Sequence, residues 1–285
     1  MFKALREHVI APMKKGVAEA RQEITKEKEK QQGLAEKEKE KTRLQQTENR
    51  RRIMAIPYSE KFAVSIAAPF RATYLSPWPP FGPDKPNEDI VVWPVCLYSF
   101  GEPYSVPDEK RAVLKDCLAR DLNITDEESA LTAIAPYLCA GDISKRLPYN
   151  GDKVPHSLNS LLVPLEKATG EGAGGKVAYA AAKLHTQRAL LSCMMAYAVT
   201  GSADCNYLNK RLALELLDDI SAYVKANYSE WKVYGDEFLA GEKMAKLNNA
   251  LGRSFLRKFV GYLNTMHGSP WLNIDWAPAS ETAVH

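Results

Sequence analysis

Seven residues, GEGAGGK at Gly170–Lys176, have the GxxxxGK spacing of a loop that cradles phosphate. In such loops the glycines let backbone amides turn toward the anion, and the lysine reaches its outer oxygens. Gly170, Gly175 and Lys176 would be the nucleotide-binding residues. Three features weigh against them. Val177 stands where Ser or Thr would hold magnesium, the preceding LVPLEKAT contains Pro164 and charged residues, and no βαβ pattern follows. A loop between helices is the competing reading.

The histidines are His8, His156, His185, His267 and His285. They form neither HxxxH nor HExxH, so no helical metal site is expected. His267 sits in MHGSPW beside Ser269. A Ser–His pair so close along the chain does not ordinarily reach triad geometry, and no GxSxG elbow is present. Cys96, Cys117, Cys139, Cys193 and Cys205 are odd in number and include no CxxC. They indicate neither a disulfide framework nor a zinc site, and are expected as small core residues in a reduced cytoplasmic compartment. Asp218–Asp219 and Asp236–Glu237 follow apolar residues as magnesium-binding acids do, but their surroundings have helical period and read as solvated helix faces. No metal and no cofactor is expected.

The elements that would position these groups can be read along the chain. With 285 residues, 45% hydrophobic and 26% charged, composition is ordinary for a globular protein of one large domain or two small ones. No run of about 18 apolar residues suggests a membrane span, and the N-terminus lacks the apolar core of a secretory signal. Residues 23–52 carry ten Lys or Arg and seven Glu, so this segment accounts for the whole formal charge of +3. The neutral remainder argues against nucleic-acid binding by the body.

Residues 1–22 read as an amphipathic helix with Phe2, Leu5, Val9, Met13 and Val17 on its apolar side, interrupted at Pro12. This stripe is the candidate partner-binding face, for a protein or an anionic membrane surface. Residues 23–52 read as an exposed charged helix or a disordered linker. Together, 1–52 form an N-terminal helical arm. Residues 53–108 hold ten prolines and are expected to be irregular and packed on the body, with Phe62–Ala68 and Ile90–Tyr98 as strands or buried irregular runs. Trp78 and Phe81 lie in a loop within it.

Residues 109–276 return to helical period. Asp108 is expected to cap the first helix, and Thr125 with Glu128 to form a capping box for the second, about 126–140. The central helix is placed at 176–199 and ended by Gly201. A further helix runs from about Tyr207 to Asn227, a final pair lies in 229–265, and 277–285 is a loose tail. The fold class is mainly α.

Two stretches carry a resemblance. In Ser229–Met244, SEWKVYGDEFLAGEKM, Ser229, Trp231, Tyr234, Phe238 and Gly241 stand at motif positions, and Ser269, Pro270, Trp271 and Trp276 do so in SPWLNIDW. In this order they resemble domain-of-unknown-function family 1266, over about residues 90–276. LNITDEESA (Leu122–Ala130) is similar to the family's helix-entry segment, with Leu122 in place of a tryptophan, and Arg188 matches an Arg of its central helix. The resemblance implies a helical, bacterial, cytoplasmic protein with no established activity.

These residues explain themselves as structure, with the tryptophans covering a core. The functional alternative is a pocket formed by Arg188, Trp231, Tyr234, Gly241, His267, Trp271 and Trp276. The expected function is that of a bacterial cytoplasmic accessory protein acting by protein–protein interaction (an adaptor, an immunity-type binder or a delivered effector) that docks through residues 1–52. The alternative is an enzyme with a small-molecule or nucleotide site in the aromatic pocket or at residues 170–176.

Overall fold

A computed structural model describes residues 11–75, 91–134, 185–245 and 248–277, with the side chains of 11–23 and 185–187 left aside. The described residues are mainly helical and contain no strand. The chain divides into two compact units, residues 1–48 and 49–285.

The first unit holds most of helix α1 (Ala11–Ala55). Pro12 stands in the first turn of this helix, where its missing N–H is no loss, and does not interrupt it. The segment 23–52 is therefore helix and not linker. Its Glu/Lys alternation sets opposite charges three apart (Glu36–Lys39, Glu38–Lys41) and like charges four apart (Glu36–Glu40), so only the former support it. Thr42 and Thr47 return their hydroxyls to the carbonyls of Glu38 and Arg43.

The second unit begins in the last turns of α1. Asn49 Nδ2 donates to the Trp93 carbonyl at 3.2 Å, the Arg50 guanidinium lies over the Trp93 ring, and Ile53 and Ile56 are buried. Two short helices follow, α2 (Tyr58–Ile66) and α3 (Ala68–Tyr74). The expectation of strand or irregular chain at Phe62–Ala68 is overturned. Pro57 precedes α2 and Pro69 opens α3, both places where proline suits a helix. Every side chain from Phe62 to Ala68 is buried, so there is no amphipathic contrast to read. A 3-10 turn at Val95–Leu97 lies in otherwise irregular buried chain.

Helix α4 (Asp108–Leu122) is preceded by Pro107 at its N-cap, with Asp108 already in the first turn, and ends at Asn123 in the left-handed conformation. Helix α5 (Glu127–Ile134) is capped one residue later than the Thr125 pattern suggests. The Ser129 amide donates to Asp126 Oδ1 at 2.8 Å, and the Asp126 amide donates back to Ser129 Oγ at 3.0 Å. This reciprocal pair is a capping box with serine in the glutamate's role. Hydrogen bonds from Ser129 hold the Asp126 carboxyl below its usual value.

Helix α6 (His185–Asp204) is the centre, buried without interruption from Ala189 to Cys205. It packs most extensively on α8 (Trp231–Ala245), and also on α7 (Lys210–Asn227) and α2 to α5. Gly201 does not end it. The helix continues to Asp204, and a Cβ at Gly201 would meet Leu114 and Leu118 at 3.4 Å, so the glycine lets α4 approach. Asn209 caps α7 and Asn249 caps α9 (Ala250–Thr265) through their side-chain oxygens. A single turn, α10 (Pro270–Asn273), is capped by Ser269. No helix among the described residues is long and apolar enough to cross a membrane.

Candidate functional site

Four of the aromatic pocket candidates do meet. Trp231 stacks on Trp271 with centroids 5.6 Å apart, Trp276 stands edge-on to Trp231 at 4.8 Å, and Tyr234 stands edge-on to Trp271 at 6.1 Å. Phe62 of α2 completes the group, 4.9 Å from Trp231. The polar atoms of Trp231, Trp271 and Tyr234 are used internally. Trp231 Nε1 donates to the Ile274 carbonyl and Trp271 Nε1 to the Ser65 carbonyl; Tyr234 bonds the carbonyls of Ile66 and Ala189. Trp231, Tyr234 and Trp271 are buried, so this is core that ties α2 to α8 and α10.

The remaining candidates lie apart from it. Arg188 Nη1 donates to Asn227 Oδ1 at 2.6 Å, across to the end of α7. His267 is exposed, and its carbonyl accepts from Asn273 Nδ2. Gly241 is buried on α8, but Gly235 is where the ring packing needs a glycine: a Cβ there would stand 2.7 Å from the Trp271 ring. Phe2, Leu5, Val9, Gly170, Gly175, Lys176, Cys139, His156 and His285 fall outside the described residues. Met13 and Val17 lie on α1, at positions whose side chains are not described.

Asp218 is exposed, and Asp236 is exposed and pairs with Lys232 at 2.9 Å. No group of three or more His, Cys, Asp or Glu side chains among the described residues could hold a metal. Cys96, Cys117, Cys193 and Cys205 are buried free thiols. Burial pushes Cys96 up to about 11 and Cys205 up to about 12, which disfavours the nucleophilic thiolate.

A buried charge centre escaped the sequence reading. Arg71 of α3 is fully buried and donates through Nε to the Cys96 carbonyl at 2.6 Å, through Nη1 to Asp204 Oδ2 at 2.8 Å, and through Nη2 to the Ser99 carbonyl at 3.0 Å. The second Asp204 oxygen accepts from the Gly101 amide, and Gly101 has φ +65°. Burial raises the Asp204 carboxyl, while the guanidinium and that amide pull it back. Nearby, Lys210 Nζ lies 2.9 Å from buried Glu60 and 2.8 Å from Glu102. All these partners are protein groups, so the centre is a clamp that fixes the 95–101 chain between α3 and α6.

Among the described residues, a groove of about 350 Å³ opens between α3, the start of α4 and the first turns of α9. Phe70 and Tyr74 line it from α3, and Phe255, Leu256 and Phe259 from α9. Its polar lining is Lys110, Thr73 and Asn248. The walls are held from behind. Phe70 stands edge-on to Phe238 at 5.4 Å and tilts against Tyr197, and Asn248 donates from both its amides to buried Glu242 Oε1. None of the groove residues was among the candidates. The apolar ones have an ordinary core spacing on their own helices, and the grouping arises only when three distant segments meet.

The fold thus defines a class: a helical body wound about one helix buried from Ala189 onward, sealed by a tryptophan cluster where its last turn closes on α2. The chain belongs to the family described as protein of unknown function (DUF1266), whose model matches residues 117–276, from within α4 to Trp276. The match starts later than residue 90. It takes in α5 to α10 and leaves out Phe62, Phe70 and Arg71, which the same core uses. No curated protein and no solved structure matches the chain.

Proposed function

We propose that the protein is a bacterial cytoplasmic accessory protein that acts by protein–protein contact, docking through its N-terminal helical arm. One observation carries this reading. Helix α1 continues unbroken for 45 residues, about 68 Å at 1.5 Å per residue, and its residues 24–48 are exposed but for half-buried Gly33, Thr42, Gln46 and Glu48. Ile24, Leu34 and Leu44 are 54–61% exposed along it. A long helix with few apolar side chains of its own to bury gains stability when a partner covers them. Alternating charges on both sides of those residues would set register and partner choice more than affinity.

The test compares the full chain with one lacking residues 1–48, both tagged at the C-terminus, in pull-downs from native cytoplasm. The deletion keeps Asn49, Ile53 and Ile56, which belong to the body. A stoichiometric protein is expected with the full chain alone, and Leu34→Glu with Leu44→Glu is expected to weaken its recovery about tenfold, as for loss of apolar anchors at an interface. Equal recovery by full and shortened chains would count against docking through the arm.

A further inference from the structure

We infer that the groove between α3, α4 and α9 is a binding site for a small planar aromatic carboxylate, independent of the arm. Its volume, about 350 Å³, lies in the range of small-ligand sites. Its lining is four aromatic rings and a leucine with one charged side chain, Lys110. Rings packed from two helices offer faces and edges to a flat apolar body, and a single cation at the border selects one anionic group.

The charge pattern narrows the class. Lys110 forms no ion pair with any described residue, while its neighbour Arg111 takes Asp108 at 3.0 Å. Helix α9 contains Arg253, Arg257 and Lys258 and no acidic residue. Gly252, in its first turn near the positive end of its dipole, lines the groove. A cationic ligand would meet Lys110 at the border, since Glu242, the carboxylate behind this wall, is already taken by both Asn248 amides. A neutral apolar ligand would take Lys110 out of water with no counter-charge. A nucleotide needs several phosphate donors, and the lining has one cation. A carboxylate on an aromatic ring of about naphthalene size satisfies the volume, the rings and the lysine together.

The walls are in place before a ligand arrives. Phe70 is fixed by Phe238 and Tyr197, and Asn248 by Glu242, so little ordering is left to be done on binding. Phe255 is 43% exposed at the mouth, where a ligand would cover it.

The experiment is titration of the full-length protein with 1-naphthoate, followed by calorimetry and by saturation-transfer NMR, with 1-naphthamide as the uncharged match. Saturable binding with Kd below about 1 mM is expected for a ligand of this size. The amide is expected to bind about tenfold more weakly, and Lys110→Gln to weaken 1-naphthoate by a similar factor while not weakening the amide. Lys110→Arg keeps the charge and is expected to retain most of the affinity. Phe255→Glu, at a position 43% exposed and with the fold checked by circular dichroism, is expected to abolish binding. Absence of saturable 1-naphthoate binding overturns the inference. So does equal binding of acid and amide, or naphthoate binding that Lys110→Gln and Phe255→Glu leave unchanged.

Discussion

Asp204→Ala is expected to destabilise the protein by about 3–5 kcal/mol, with Tm falling by about 10 °C. The side chains of Arg71 and Asp204 are both 0% exposed, so removing the carboxylate leaves a guanidinium in the interior with only carbonyl partners. The Gly101 amide loses its acceptor in the same step. Replacing both charges, as Arg71→Met with Asp204→Leu, is expected to cost less than Asp204→Ala, because no unpaired charge remains. Urea unfolding followed by far-UV circular dichroism measures all three chains. A loss below about 1 kcal/mol for Asp204→Ala would show that the pair is not the clamp described.

Trp271→Ala is expected to cost a further large amount, about 3–5 kcal/mol, through the cavity and the orphaned Ser65 carbonyl. The closer test is its coupling to Gly235. A Cβ at Gly235 would stand 2.7 and 3.0 Å from Trp271 ring atoms and 3.2 Å from Val260. That ring is held by the Trp231 stack and its bond to Ser65, so it cannot step aside. Gly235→Ala alone is expected to cost about 1–3 kcal/mol. In the Trp271→Ala background most of that cost should vanish, a coupling of more than about 1 kcal/mol in a double-mutant cycle. Gly261→Ala is the control. Nothing lies within 4 Å of a Cβ there, and the helix preference of alanine should stabilise α9 by up to about 1 kcal/mol. Additive costs for Gly235→Ala and Trp271→Ala would place the steric conflict elsewhere.

Much of the helical body is legible from the sequence because its helices are amphipathic or capped by short polar residues. The period of Leu216, Ile220 and Val224 finds α7, and Trp231, Tyr234 and Phe238 find α8. Helix α2 is not legible, since burial on every side removes the contrast and flanking prolines suggest irregular chain. Gly201 misleads for a related reason: it serves a neighbour, α4, which local sequence does not name. The Arg71 clamp is hidden because its partners lie 25, 28 and 133 positions away. The predicted pocket joined residues that carry the family motifs. Its three tryptophans and Tyr234 pack in the core, Arg188 and His267 lie apart, and the groove draws on Phe70, Lys110 and Phe255, which no motif marks.

The tie between α2 and the C-terminal tryptophans bears on how the chain is made. Ser65 and Trp271 are 206 positions apart, and Tyr58 donates to the carbonyls of Asp275 and Trp276. At about 5–20 residues per second on the ribosome, α2 emerges about 10–40 s before the rings that cover it. During that interval Phe62 lacks the Trp231 and Trp276 rings that pack on it, and apolar surface exposed in this way favours association. The tryptophans that close the core are made long after α2, so a message truncated before Trp231 would yield a chain that cannot complete it.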